Sequence, residues 1–176
     1  MRIISGQYKG LTFHPPKGIK ARPTTDRAKE ALFNTLANQI DLEGVEVLDL
    51  FSGTGNVAYE FASRGAGHIT CVDQNYHSCS FIKNTFKDLG FDQYKVVKSS
   101  VGSFLKRSQG PYDVIFADPP YAMDGIPDIC EIVLENGWLK PRGMLVIEHF
   151  KSLNISHSNF TERREYGQSV FSYFRN

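Results

Sequence analysis

The chain has little cysteine and no long apolar run. Only three cysteines, Cys71, Cys79 and Cys130, occur among its 176 residues, too few and too scattered for a disulfide framework or a metal knuckle. No apolar stretch approaches the ~20 residues that a membrane span requires, and the N-terminus has no apolar segment of the kind found in secretory signals. These absences predict a cytoplasmic protein without disulfides, metal or membrane association.

The composition is that of one ordinary soluble domain. Hydrophobic residues make up 41% of the chain and charged residues 22%, which are values typical of globular proteins. A chain of this length buries roughly 70% of the surface that its unfolded form exposes. We therefore expect one substantial core and a monomer.

The net charge of +1 is unevenly distributed. Residues 1–29 contain seven Lys or Arg and one acid, so this segment carries a charge of +6 and the remainder carries −5. Such asymmetry is typical of a basic arm that meets a polyanion, although a merely solvated charged segment is the alternative. The basic residues are Arg2, Lys9, Lys17, Lys20, Arg22, Arg27 and Lys29.

From residue 45 onward, short apolar runs rich in β-formers alternate with helical patterns. Strands are predicted at 45–51, 68–73, 94–98, 112–117 and 143–149, followed by a final pair at 159–166 and 169–175. Helices are predicted at 56–65, 76–89, 101–107 and 126–135. This alternation predicts an α/β fold with a Rossmann-like, mostly parallel sheet, helices on both faces and an antiparallel edge pair.

The N-terminal portion departs from the alternation. Residues 1–13 read as a β-hairpin, 14–24 as a connector, and 24–39 as an amphipathic helix capped by Thr24 or Thr25. We expect a basic extension over residues 1–40 and a main domain over 41–176. On the first helix of the main domain, Glu60 and Arg64 have i, i+4 spacing and are predicted to form a surface ion pair.

A glycine loop follows the first strand in "DLFSGTGNVAYE". Residues 53–58 fit the pattern G-x-G-x-x-G/A, and Asp73 ends the next strand, where a ribose hydroxyl would be bound. Asp49 just before the loop would repel a pyrophosphate but would attract an ammonium group. S-adenosylmethionine has an ammonium, a ribose diol and no phosphate, so it is the predicted cofactor.

The segment "FADPPYAM" places an acid, two prolines and an aromatic ring at the end of a buried strand. Turn chemistry alone would account for the Asp-Pro-Pro part. The alternative is a clamp for a planar ring that bears an amine: Asp118 and the Pro119 carbonyl accept its N–H groups, Pro120 stiffens the frame, and Tyr121 stacks on the ring.

These residues resemble a known family. "DLFSGTG", "VD" at 72–73 and "DPPY" at 118–121 look like the S-adenosylmethionine-dependent amino-methyltransferases. "RIISGQYKGLTF", "ARPTTDRAKEALFN", "FSGTGNVAYEFASRGA", "NGWL" and "GQSVFSYFR" narrow the resemblance to the RsmD family, and it runs nearly end to end.

The resemblance implies methylation of the N2 amine of one guanine in 16S ribosomal RNA, free or within an assembling small subunit. The implied RNA contacts are Arg22, Thr24, Arg27 and Lys29. The implied cofactor residues are Asp49, Phe51, Ser52, Gly53, Gly55, Asp73, Gln74, Ser99 and Ser100.

Three positions depart from the family's usual pattern. Asn56 stands where a small apolar residue is commoner, Lys29 replaces an arginine, and Ser99 or Ser100 stands where an Asp or Asn usually meets the adenine. Two other functions remain open: a DNA adenine or cytosine amino-methyltransferase, which also uses "DPPY", and a non-catalytic RNA-binding factor of ribosome assembly.

Overall fold

The computed structural model describes residues 1–16, 19, 24–107, 110–120, 123 and 125–176. It contains five helices and seven strands in these residues. The helices are α1 (Asp26–Ala37), α2 (Asn56–Ser63), α3 (Tyr76–Leu89), α4 (Val101–Arg107) and α5 (Ile126–Glu135). The strands are β1 (Glu46–Leu50), β2 (His68–Asp73), β3 (Tyr94–Lys98), β4 (Tyr112–Ala117), β5 (Leu139–His149), β6 (Phe160–Tyr166) and β7 (Ser169–Arg175).

All seven strands form one sheet in the order β3-β2-β1-β4-β5-β7-β6. Strands β1 to β5 are mutually parallel, whereas β7 runs antiparallel to both β5 and β6. The predicted parallel sheet with an antiparallel edge pair is confirmed. Strand order reverses between β1 and β4, which places the carboxyl ends of these two strands at the expected ligand-binding crevice.

The sheet is covered on both faces. Side chains of α1, α2 and α3 pack with one set of strand residues, including Val47, Phe116 and Val146. Side chains of α4 and α5 pack with the opposite set, including Ile115 and Ile147. Because alternate strand residues point to opposite faces, the central strands are apolar throughout, as a doubly covered parallel sheet requires.

Two sequence-based boundaries need correction. Strand β5 begins at Leu139 rather than at residue 143, and its pairing with β4 shifts register between Tyr112 and Val114. The predicted N-terminal hairpin is not confirmed as two strands. One antiparallel bridge, Arg2 to Thr12, joins its ends, and residues 5–10 form turns and bends.

The N-terminal segment docks onto α2. The amides of Ile4 and Ser5 each donate to the Glu60 carboxylate at 3.0 Å, and the Gln7 amide donates to the Ser63 carbonyl at 2.8 Å. Gly6 has φ +84°, and a Cβ placed on it would lie 1.7 Å from the Ser63 carbonyl oxygen. Only glycine allows this approach, so the docking depends on backbone contact.

Glu60 is not on the surface. Its side chain is fully buried and contacts Lys29 at 3.4 Å and Arg64 at 2.9 Å, in addition to the Ile4 and Ser5 amides. The predicted ion pair of Glu60 and Arg64 forms, but the prediction that it lies on the surface is wrong, because Glu60 is buried. The helical spacing was sufficient to predict the contact, but burial comes from the N-terminal segment that covers this face of α2.

Candidate active site

A cavity of about 870 Å³ lies at the carboxyl ends of the central strands. It is bounded by the glycine loop after β1, the ends of β2, β4 and β5, the start of α1, and the turn between β6 and β7. Most residues predicted as functional line it: Thr24, Arg27, Asp49, Phe51, Ser52, Gly53, Asp73, Gln74, Ser99, Ser100, Asp118, Pro119 and Pro120. The cavity therefore brings the predicted cofactor and amine-binding groups together.

The glycine loop turns tightly through left-handed backbone. Phe51, Gly53 and Gly55 have φ values of +60°, +53° and +77°. A Cβ on Gly55 would lie 2.6 Å from the ring of Tyr59, so the first turn of α2 can close only over a glycine. Gly55 itself does not line the cavity. Its role is to give the loop backbone its left-handed turn.

Asp73 ties the glycine loop to the end of β2. Its Oδ2 accepts from the Gly53 amide at 2.8 Å, and its Oδ1 accepts from the Asn75 amide at 2.7 Å. Each carboxylate oxygen has a second lone pair, so both can also accept from a ligand hydroxyl. The Asp73 carboxylate therefore has two uses: it accepts from the Gly53 amide and so holds the loop, and it retains acceptor capacity for a sugar hydroxyl.

Asp49 is buried at the floor of the cavity. It is 2% exposed, and its Oδ2 has no hydrogen-bond partner among the described residues. Burial, and then the charge of Asp73, raise the pKa of this carboxyl to about 8. Ser52 hydrogen-bonds to the Asp49 carboxyl and offsets only part of the burial effect. A buried carboxylate oxygen without a partner is costly unless the group holds a proton or meets a cation, so the cavity floor favours a positively charged ligand group.

The Asp-Pro-Pro segment begins directly beside the glycine loop. The Leu50 carbonyl of β1 accepts from the Asp118 amide at 3.3 Å, and Pro120 accepts from the Met123 amide at 2.8 Å. Pro119 is buried, whereas Pro120 is exposed at the cavity rim. Tyr121 lies outside the described residues, so its predicted stacking role stays a prediction.

The predicted RNA contacts divide into different environments. Arg27 is exposed and lines the cavity, and Thr24 lines it as well. Arg22 lies outside the described residues. So do Lys17 and Lys20, which with Arg2 and Lys9 form the outer basic set, predicted to make peripheral RNA contacts. Of the remaining outer residues, Lys9 is exposed and Arg2 pairs with Asp26 at 3.1 Å.

Lys29 requires a correction. It is fully buried, and its Nζ donates to the Arg2 carbonyl and to Asn56 Oδ1, the latter at 2.9 Å. Burial lowers the pKa of the Lys29 ammonium from its ordinary value, and the charge of Glu60 partly offsets this. Because a fully buried ammonium cannot reach an RNA phosphate, we replace its RNA-binding assignment with a structural one.

Sequence reasoning assigned no site role to Glu148 at the end of β5. It is 3% exposed and lines the cavity, and the Thr24 hydroxyl donates to its Oε2 at 3.2 Å. Its position at the carboxyl end of a central strand could have identified Glu148 as a site residue, because ligands of such sheets bind at that edge.

Among the residues that the structure describes, no cluster of His, Cys, Asp and Glu could hold a metal ion. All three cysteines are free and buried. Within the same residues, no helix is long and apolar enough to cross a membrane.

Comparison with known proteins identifies the family. A family model described as "Conserved hypothetical protein 95" matches residues 1–175. The Haemophilus influenzae protein named ribosomal RNA small subunit methyltransferase D is 32% identical, over 98% of this chain and 91% of that protein. The Escherichia coli K12 protein of the same name is also 32% identical, over 84% of this chain and 74% of that protein. The chain belongs to the RsmD family. It is accordingly a methyltransferase.

Solved structures share the fold of this RsmD-family chain. The Escherichia coli protein yhhF superposes with a TM-score of 0.88 at 28% identity, covering 99% of this chain and 97% of that one. RsmC of Thermus thermophilus, a 16S rRNA N2 methyltransferase solved with AdoMet and guanosine, superposes with a TM-score of 0.77 at 20% identity. It covers 99% of this chain and 49% of that one, and at this identity the likeness concerns the fold.

Two of the positions that the sequence resemblance marks as unusual contact each other. Lys29 Nζ donates to the side-chain oxygen of Asn56 at 2.9 Å. The Asn56 side-chain amide donates in turn to the Thr24 carbonyl at 3.1 Å. The pair thus fastens the start of α2 to the segment before α1, and the polar Asn56 at a buried position is explained by its two partners.

Proposed function

We propose that this protein transfers a methyl group from S-adenosylmethionine to the N2 amine of a specific guanine in 16S ribosomal RNA. The observation that carries the proposal is the single cavity that joins Asp49 and Asp73 to Asp118 and Pro119. One part of this cavity suits an ammonium and a ribose, and the adjacent part suits an aromatic amine. The names of the RsmD-family relatives support ribosomal RNA as the substrate.

The residues present fit S-adenosylmethionine. The buried, unpartnered Oδ2 of Asp49 suits its ammonium, and the Asp73 carboxylate suits its ribose hydroxyls. Phe51, Ser52, Gly53 and Gln74 line the wall between these acids, and Ser99 and Ser100 line the side on which the adenine would lie. When bound, the cofactor supplies an electrophilic methyl group on a sulfonium, which becomes a neutral thioether as the methyl leaves.

Asp118 and Pro119 prepare the amine. The lone pair of an aromatic amine is delocalised into its ring, so the nitrogen must become pyramidal before it can form the new N–C bond. Acceptors held against its two N–H groups favour this change and stabilise the positive charge that develops on nitrogen. Asp118 provides a carboxylate, and the Pro119 carbonyl provides a second acceptor. After the N–C bond forms, the amine gives one proton to the Asp118 carboxylate, which passes it to solvent.

The basic N-terminal residues contribute affinity for RNA. A target guanine must leave its stack, at a cost of a few kcal/mol, and phosphate contacts from Arg22, Arg27 and the outer basic residues offset that cost. We propose that residues 1–40 form this RNA-binding extension and residues 41–176 the catalytic domain. We further propose a cytoplasmic monomer that acts without metal on 16S rRNA, including rRNA within an assembling small subunit.

The two other candidate functions are less favoured. A DNA adenine or cytosine methyltransferase would use the same Asp-Pro-Pro segment, but the RsmD-family relatives carry rRNA methyltransferase names. A non-catalytic assembly factor would have no need of an unpartnered buried carboxylate beside an amine-binding segment. Both alternatives predict that deleting the gene removes no methylated guanine from ribosomal RNA.

The proposed function can be tested in ribosomal RNA itself. Deleting the gene should remove one N2-methylguanine from 16S rRNA, detected and mapped by mass spectrometry of nuclease fragments. Purified protein with S-adenosylmethionine should restore it on RNA or small subunits from the deletion strain. An unchanged set of methylated guanines in the deletion strain would contradict the proposal.

Asp49→Asn should stabilise the cofactor-free protein and weaken cofactor binding. Burial, and then the charge of Asp73, raise the pKa of the Asp49 carboxyl in the folded protein from its ordinary 3.8 to about 8. Folding therefore takes up a proton between these values, and this group's contribution to stability falls as pH rises through that window. At about pH 8 we expect the variant to gain about 1 to 3 kcal/mol in free energy of unfolding.

The same group should couple cofactor binding to proton release. The ligand ammonium favours the charged carboxylate, so binding at about pH 6.5 should release roughly one proton from the wild type and almost none from Asp49→Asn. Calorimetric titrations in two buffers with different ionisation enthalpies measure this number. Equal proton release by both proteins would show that Asp49 does not meet the ammonium.

A further inference from the structure

Four acids stand in a row along the carboxyl edge of the sheet. Asp73, Asp49, Asp118 and Glu148 lie at or directly after the ends of the neighbouring strands β2, β1, β4 and β5. The register pairs Ala117 with Ile147, so Asp118 and Glu148 are the next residues on adjacent strands, which lie about 4.8 Å apart. The first three acids have proposed roles toward cofactor and amine, and Glu148 has none.

Asp118 and Glu148 occupy the same face of the sheet. The residues two positions before them, Phe116 and Val146, both pack in the core beneath α1, α2 and α3. Side chains two apart on a strand share a face, so both carboxylates follow that face into the cavity that they line. A planar ring whose amine reached Asp118 would therefore have the neighbouring atom of its edge on the Glu148 side.

Glu148 is held in place within this cavity. The Thr24 hydroxyl donates to its Oε2 at 3.2 Å, and Asn56 fixes the Thr24 carbonyl at 3.1 Å. A carboxylate has about four acceptor positions on its two oxygens, so the Thr24 contact orients Glu148 and is compatible with a further donor from a ligand. Asp49, whose buried Oδ2 has no hydrogen-bond partner among the described residues, lines the same cavity, which independently marks the cavity as built for a ligand.

We propose that Glu148 accepts the N1–H of the target base and thereby selects guanine. This inference rests on the proposed function. Guanine presents two adjacent donors, N1–H and the N2 amine, which match Glu148 and Asp118. Adenine and cytosine also bear an amine, but a ring nitrogen with a lone pair stands beside it and would face the Glu148 carboxylate.

The Asp-Pro-Pro segment cannot make this distinction, because it contacts only the amine that all three bases share. A carboxylate that faces a lone pair is repelled and loses a partner, and a site built for an N–H group strongly rejects an analogue that lacks it. Glu148 thus supplies the guanine specificity. Thr24 acts as a positioning residue, because its hydrogen bond orients the Glu148 carboxylate toward the base.

The test uses 16S rRNA that is assembled by chemical ligation, in which an analogue base replaces the mapped guanine. In 2-aminopurine the N2 amine remains but N1 carries no proton, and O6 is also absent. In 6-thioguanine both N1–H and the amine remain, and only O6 is changed. We expect the wild type to methylate 6-thioguanine within about fivefold of guanine, and 2-aminopurine at least about a hundredfold more slowly.

The Glu148→Gln variant should lose this discrimination. A glutamine accepts more weakly from N1–H and can donate to an unprotonated N1, so the preference for guanine over 2-aminopurine should fall by about tenfold or more. Its affinity for S-adenosylmethionine, measured by titration, should match the wild type. Glu131→Gln, at an exposed position of α5, is the matched control and should keep the wild-type ratio.

The outcomes separate the two proposals. If the wild type does not methylate the guanine RNA, the proposed function fails. If it methylates guanine and 2-aminopurine equally, Glu148 does not read N1–H; this comparison needs no variant. Slow reaction of 6-thioguanine would assign selectivity to the O6 side, and an unchanged ratio in Glu148→Gln would assign it to another residue. Each of these two results overturns the inference.

Discussion

Asp118→Ala should slow methyl transfer by about a hundredfold to a thousandfold while leaving cofactor affinity within a few-fold of the wild type. Its carboxylate is proposed to accept from the reacting amine, where positive charge develops only in the transition state. Removing such an acceptor costs about 2.7 to 4 kcal/mol by analogy with oxyanion-hole deletions. Single-turnover methylation at saturating cofactor measures the effect on the chemical step.

Two companion variants make the result specific. Asp73→Ala should instead weaken S-adenosylmethionine binding by about tenfold to a hundredfold, because it removes the proposed charge-assisted contact to ribose and frees the Gly53 amide of the loop. Asp88→Ala, at an exposed position of α3, should change neither quantity. A wild-type transfer rate in Asp118→Ala would refute the amine-binding role of the Asp-Pro-Pro segment.

Glu60→Ala should destabilise the protein by about 3 to 5 kcal/mol, because removing one partner leaves buried charge uncompensated. Glu60 is fully buried against Lys29 and also accepts from Arg64 and from the Ile4 and Ser5 amides. Denaturant unfolding of the cofactor-free protein measures the loss. Hydrogen exchange at Ile4 and Ser5 should accelerate, because both amides lose their acceptor.

The matched control is Glu131→Ala, which removes an exposed glutamate from α5 and should change stability by less than about 0.5 kcal/mol. A similarly small loss for Glu60→Ala would mean that this carboxylate contributes no more than an exposed i, i+4 pair does. Normal exchange at Ile4 and Ser5 would contradict the docking of the N-terminal segment on α2.

The sequence was sufficient to predict most of the sheet because local signals agree with the global fold there. Strand β2 and helix α3, for example, begin and end where the apolar runs and the flanking Gly90 place them. The acids at strand ends were recognisable for the same reason: a parallel sheet gathers the carboxyl ends of its strands at one edge.

The environment of Lys29 and Glu60 could not be predicted in this way. Both side chains have the spacing and charge of exposed helix residues, and their burial depends on a partner segment far away in sequence. Glu60 meets Ile4 and Ser5 across separations of 56 and 55 residues. The sequence therefore overestimates the exposed positive charge that is proposed to meet RNA, since the Lys29 side chain lies in the interior.

Strand β7 lies between β5 and β6 in the sheet, although β6 precedes it in the chain. During synthesis β6 therefore leaves the ribosome before its partner, with its backbone N–H and C=O groups unpaired. Such a strand is a template for aggregation, and charged side chains are a common protection. We therefore expect the consecutive charges Glu162, Arg163, Arg164 and Glu165 on β6 to protect the nascent chain, with their effect seen in the yield of folded protein.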